Sequence, residues 1–288
     1  MPSRRIDPKL KSALLRLGFF ASIAIVTYIV SSIAFFWMLG RGEGVVIAVA
    51  AHFTAAGIAT VLSLRAFERG QFADIGLGWN AASQRNLLIG ILGGIGAAML
   101  VLLAPVVFRV AAIHRAPGQH FEWGNLLFFT LILIFGATGE EMLFRGYGFQ
   151  VFMSGTGGPF GAILPFAMLF ALTHTNNPAF GPLAFVNTFL WGVLLGYAFL
   201  NSGDLWLPIG LHFGWNWVLP ILGDNLSGLT MGITGCMMTW NIGNLWSGGA
   251  YGVEGGLLTT AVIVLLFIYL WKAPVRAQEP YLLYKDRS

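Results

Sequence analysis

Two adjacent carboxylates and an arginine, Glu140, Glu141 and Arg145, follow a run that reads Leu126-Leu127-Phe128-Phe129-Thr130-Leu131-Ile132-Leu133-Ile134-Phe135. Ionisable groups at membrane depth are costly to bury and mark a pathway or a reaction site. Glu141 and Arg145 stand four apart with the acid first, so they can pair on one helix face. Glu140 projects about 100° away around the helix and is left for a separate task. A purely architectural role for both glutamates would bury an extra carboxylate for packing alone, which is expensive.

Two more polar groups follow at helical spacing. Phe170 and His174 lie four apart near the end of the next apolar run, which Pro178 closes. If the chain turns at Ser154–Gly158, Glu140 and His174 are each roughly 21–23 Å from that turn at 1.5 Å per residue. An antiparallel helix pair would then bring them together, with Phe170 able to fix the imidazole. Further on, Pro208 suits a first helical turn, and His212 and Asn216 share one face beyond it. They offer two donors toward a common point, as an oxyanion site requires, or an interhelical polar clamp. His52 reads as a packing contact in the second span, and His114 and His120 as solvated loop residues beside Arg115. Cys236 has no base near it in sequence to activate a thiol.

The elements that must position these groups are membrane helices. With 57% hydrophobic and only 10% charged residues in 288, the composition excludes an ordinary soluble domain. Spans of about 20 apolar residues are expected near 14–39, 44–64, 87–108, 124–152, 159–176, 182–200, 205–222 and 256–272. The fold expected is thus an all-α polytopic bundle of about eight transmembrane helices, one integral membrane domain over 1–288. The first run is read as a retained helix rather than a signal peptide. Residues 223–255 form a Gly-rich connection that lies at the interface or re-enters the membrane.

Cationic residues divide unevenly. Arg4, Arg5, Lys9, Lys11, Arg16, Arg65, Arg69, Arg85, Lys272, Arg276, Lys285 and Arg287 fall on the side of the termini, and Arg41, Arg109 and Arg115 on the other. This bias predicts cytoplasmic termini in a multi-pass cell-membrane protein. The small net charge of +4 suits lipid headgroups and gives no sign of nucleic-acid binding.

The ordered set Glu-Glu-x-x-x-Arg, Phe-x-x-x-His and His-x-x-x-Asn resembles the CPBP family of intramembrane proteases, which contains CAAX prenyl endopeptidases and bacteriocin-processing or self-immunity proteins. Glu140, Glu141 and Arg145, then Phe170 and His174, then His212 and Asn216 carry the resemblance, within a core of about 124–222. The phrases around the motifs look like bacterial members. The resemblance implies hydrolysis of a peptide bond in a membrane-associated peptide or protein, and the leading expectation is a glutamate-dependent endopeptidase without a metal cofactor. Glu140 with His174 would activate a water, His212 and Asn216 would stabilise the oxyanion, and Glu141, Arg145 and Phe170 would support them.

Other readings stay open. Glu140, His174 and His212 are a His2Glu set that zinc accepts, which would make the chain a metalloprotease. Buried Glu and His also build relays in proton-coupled transporters. A non-catalytic immunity or scaffold protein would keep the architecture without turnover.

Overall fold

The computed structural model describes residues 7–40, 42–156 and 158–284, with no side-chain description for Tyr281 and Tyr284. Arg4, Arg5, Arg41, Lys285 and Arg287, invoked for the charge bias, lie outside the described residues. Helices occupy all eight expected positions. The described helices are α1 (Pro8–Leu39), α2 (Gly44–Ser63), α3 (Ala81–Val107), α4 (Trp123–Phe144), α5 (Tyr147–Thr156), α6 (Pro159–Thr173), α7 (Pro182–Ser202), α8 (Trp206–Ile221), α9 (Asn244–Ser247), α10 (Leu257–Lys272) and α11 (Tyr281–Tyr284), with α4 and α5 sharing one expected span and the four-residue α9 and α11 outside all of them. Five stretches are long and apolar enough to cross a bilayer: Pro8–Leu39, Gly44–Glu68, Ala81–Val107, Trp123–Thr156 and Pro182–Ser202. Large apolar side chains such as Leu15, Ile25, Trp37 and Leu127 are exposed on them. Lipid, not water, is the solvent that suits such a surface. The protein is a polytopic helical membrane bundle.

The fourth expected span is not one rod. It breaks at Arg145 and Gly146, where a Cβ on residue 146 would collide with the Met142 carbonyl, so glycine allows the chain to turn there. The break also changes how the polar residues meet. Instead of forming an antiparallel pair with α4, α6 packs on α7 and α5 and touches α4 only near its end.

Small residues set the remaining contacts. Gly90 and Gly94 of α3 face Gly210 and Gly214 of α8, and a Cβ at any of the four would run into the facing backbone. This reciprocal small-xxx-small seam lets two helices approach closely where lipid gives no hydrophobic drive to associate them. In α4, a Cβ on Gly139 would stand 2.9 Å from the Phe53 Cα of α2, and one on Gly136 would meet Val49 at 3.6 Å.

Two short strands lie outside the bundle. β1 (Ala111–Arg115) pairs antiparallel with β2 (Cys236–Trp240), from Ala111 opposite Trp240 to Arg115 opposite Cys236. The connection carrying exposed His114 is therefore partly strand, with His114 Nε2 3.0 Å from Thr239 Oγ1; His120 is exposed as expected. Residues 223–255 fold into β2, α9 and two short 3-10 turns over the end of the bundle opposite the termini. Asp224 anchors this roof, accepting from Trp240 Nε1 at 3.1 Å and from the Val253 N–H at 2.8 Å. Burial pushes the Asp224 carboxyl up to about 6, against the two hydrogen bonds that favour its charge.

Candidate active site

Glu140, His174 and His212 converge from α4, the end of α6 and α8. Glu140 Oε2 stands 4.0 Å from His174 Nε2 and 4.0 Å from His212 Nε2. Those separations are too long for direct hydrogen bonds and short enough for one water to bridge. Glu140 Oε2 is buried and has no hydrogen-bond partner among the described residues. Asn216, one turn beyond His212, lines the same cavity, which has a volume of about 220 Å³.

Each imidazole is oriented through its other nitrogen. His174 Nδ1 lies 2.7 Å from the Phe170 carbonyl, whose residue also stacks its ring 4.7 Å from the imidazole. A carbonyl can only accept, so Nδ1 carries the proton and Nε2 faces Glu140. Beyond the end of α6, the chain turns at once and presents the ring at the helix terminus rather than along a helix face. His212 Nδ1 stands 2.8 Å from Glu141 Oε1, which likewise leaves Nε2 toward the cavity.

Glu141 is the hub of the supporting shell. The same Oε1 accepts from the Arg145 guanidinium at 3.1 Å, so the expected i,i+4 pair exists, with a second partner from α8. The Glu141 side chain is 0% exposed, against 26% for Glu140, as expected for neighbours 100° apart on a helix. Arg145 also donates to the Gly192 carbonyl of α7 at 2.9 Å and lies over the Phe170 ring at 4.8 Å. Three elements are thereby tied by one buried cation that has hydrogen bonds and an aromatic face. Sequence spacing shows the Glu141–Arg145 pair, while the bond to His212 joins residues 71 apart and has no local signal.

Further residues line the cavity that sequence reading leaves unassigned. Asn187 donates to the Glu254 and Gly256 carbonyls, Glu254 accepts from Trp215 Nε1 at 2.9 Å and from Ser227, and Trp191 packs 4.9 Å from Trp215. Glu254 gives no helical pattern and sits in a Gly-rich stretch, so only the folded roof reveals it. His52 lines the cavity wall and stacks on Tyr28 at 4.6 Å.

A metal can be tested on these distances. Zinc bonds to imidazole and carboxylate at about 2.0–2.2 Å, which places tetrahedral ligands roughly 3.3 Å apart. The donor types fit, and the 4.0 Å spacing would have to contract for Glu140, His174 and His212 to hold the ion. No cluster of three His, Cys, Asp or Glu close enough for a metal occurs among the described residues.

No curated protein and no solved structure matches the chain. Residues 122–218 match a family model, and they are the residues that carry α4 to the cavity face of α8. This cavity-forming segment of a membrane protein is similar to the family described as type II CAAX prenyl endopeptidase Rce1-like.

Proposed function

We propose that the protein is a glutamate-dependent intramembrane endopeptidase that hydrolyses a peptide bond of a membrane-associated peptide or protein. The observation that carries this reading is the placement of Glu140 Oε2 4.0 Å from both imidazole Nε2 atoms in the wall of one cavity. A water held between Glu140 and His174 gives its proton to the carboxylate as its oxygen attacks the peptide carbonyl. The carbonyl oxygen becomes an oxyanion, toward which Asn216 presents its amide N–H and His212, its Nδ1–H held by Glu141, presents Nε2–H as the imidazolium, in a site partly shut off from water. When the tetrahedral adduct collapses, the C–N bond breaks and the proton passes to the leaving amine. Glu141 and Arg145 hold His212 and α4 in register for this step.

The matched family's description names prenylated CAAX sequences. Catalysis of the kind described needs only a peptide carbonyl that can reach the cavity. Membrane-peptide profiling of cells carrying the wild-type protein and Glu140→Gln tests the assignment: a product lost only in the variant is expected, and identical profiles would reject it. The zinc version rests on the same three side chains, and separates from this one by chelation. Activity is expected to survive exhaustive chelation with no stoichiometric zinc bound; loss that zinc alone restores would replace the proposal with a metalloprotease.

A further inference from the structure

We infer that substrates reach this site from the extracytoplasmic side, and that the substrate class is an apolar peptide segment presented on that face. The inference rests on the peptidase reading for the word substrate, and on geometry alone for the direction of access.

On the side of the termini the site has a closed floor. Arg145, Gln150, Asp204 and Leu205 are all buried. Gln150 Nε2 donates to the Ile75 and Arg145 carbonyls, and the Leu205 N–H to the Gly76 carbonyl, so the connections between α2 and α3 and between α7 and α8 are sewn beneath the site. None of these residues lines the cavity.

The cavity instead climbs away from that floor. Parallel α2 and α4 meet at Phe53 against Gly139 and at Val49 against Gly136. Continuing that register places Val45 beside Ile132, and both line the cavity. Ile132 precedes Glu140 by eight residues, roughly 12 Å along the helix. Val45 is the second residue of α2, so the cavity reaches the end of the bundle that carries the roof. Leu229 and Met231 of the roof complete its rim. The wall that α2 and α4 raise to that rim, with Val45, Ala48, Val49 and Ile132, is apolar, while Asn177, Asn187 and Ser227 line the other side; such a slot suits an extended peptide whose apolar side chains lie on the first wall and whose backbone meets the second.

Charge assigns the two faces. Among the described residues Lys9, Lys11, Arg16, Arg65, Arg69 and Arg85 lie toward the closed floor, joined by Lys272 and Arg276 at the end of α10. On the side of the rim the described residues carry only Arg109 and Arg115. The excess of basic residues marks the cytoplasmic face, so the rim opens outward.

Impermeant maleimide labelling of the full chain in right-side-out spheroplasts tests this. Cys236, the single cysteine, is replaced by serine, and reporters are placed singly at exposed Met237 of β2, at exposed Ala277 beyond α10 and at Val45 of the cavity wall. Met237→Cys and Val45→Cys should react in intact spheroplasts, and Ala277→Cys only after permeabilisation. Reaction of Ala277→Cys from outside without that of Met237→Cys would overturn the orientation. Reaction of Met237→Cys without that of Val45→Cys would overturn the route. The same labelling on a Glu140→Gln background reads access independently of turnover. Outward labelling together with unchanged peptide profiles would therefore reject the peptidase and leave the route standing.

Discussion

Glu140 and Glu141 are adjacent in the chain and point into different surroundings, and this difference sets what substitution at each does. Glu140→Gln keeps size and polarity but cannot take a proton, so cleavage should fall by at least on the order of 10²-fold with insertion and thermal stability unchanged. Retained turnover would remove Glu140 from the mechanism. Glu141→Gln leaves the buried Arg145 cation without its charged partner, a change that costs about 3–5 kcal/mol, and weakens the hold on His212 Nδ1. Unfolding in detergent should therefore show the loss along with the activity assay. Asn216→Ala removes one donor of two and should leave residual activity reduced about 10²–10³-fold. The i,i+4 spacings that sort these residues into pairs are local, and were readable from the sequence. Which carboxylate faces the cavity was readable only as a 100° difference; the bond from Glu141 to His212 depends on how α4 and α8 pack.

At the scale of elements, α8 carries the glycine seam on one side and His212 with Asn216 on another. Gly214→Val would push its side chain against the Ile91 carbonyl and force α8 off α3. Overpacking of this kind costs about 1–3 kcal/mol, and activity should fall with it; Gly96→Ala, where a Cβ has nothing within 4 Å, should change neither. In the roof, the Asp224 carboxyl titrates at about 6 rather than at its ordinary 3.8 because burial disfavours its charge. A carboxyl raised in the folded state lends its full stabilisation below the ordinary value and loses it as pH rises through about 6. Hydrogen exchange across 223–255 should therefore slow as pH is lowered from about 7 toward about 4, after correction for intrinsic exchange, and Asp224→Asn should flatten that dependence. Helix positions were legible because apolar length is a strong signal. The break at Arg145-Gly146 was not, since Gly within a transmembrane run is common. The β1–β2 pair joins segments more than a hundred residues apart, which periodicity cannot reveal.

Across the whole molecule, the chain end is part of the floor. Arg276 and Asn86 exchange hydrogen bonds through the Arg276 N–H and carbonyl, and Gln278 bonds Asp204, which also accepts from Asn86 at 2.8 Å. Burial raises the Asp204 carboxyl, the hydrogen bonds opposing it. Asn86→Ala would strand these partners, each at about 1–3 kcal/mol when buried and unsatisfied. Release of residues 274–284 to protease added on the face of the closed floor should follow, and unchanged protection would show the tail held by other contacts. The α3–α8 seam has one more consequence at this scale. Backbones in such close contact cannot slide past each other, whereas α1, packed mainly on α2 and α5 with wide apolar exposure, has room to tilt. Thick and thin bilayers would thus be accommodated by the outer helix, at fractions of a kcal/mol per Å of mismatch, and the spacing of the inner residues would keep the same value in both.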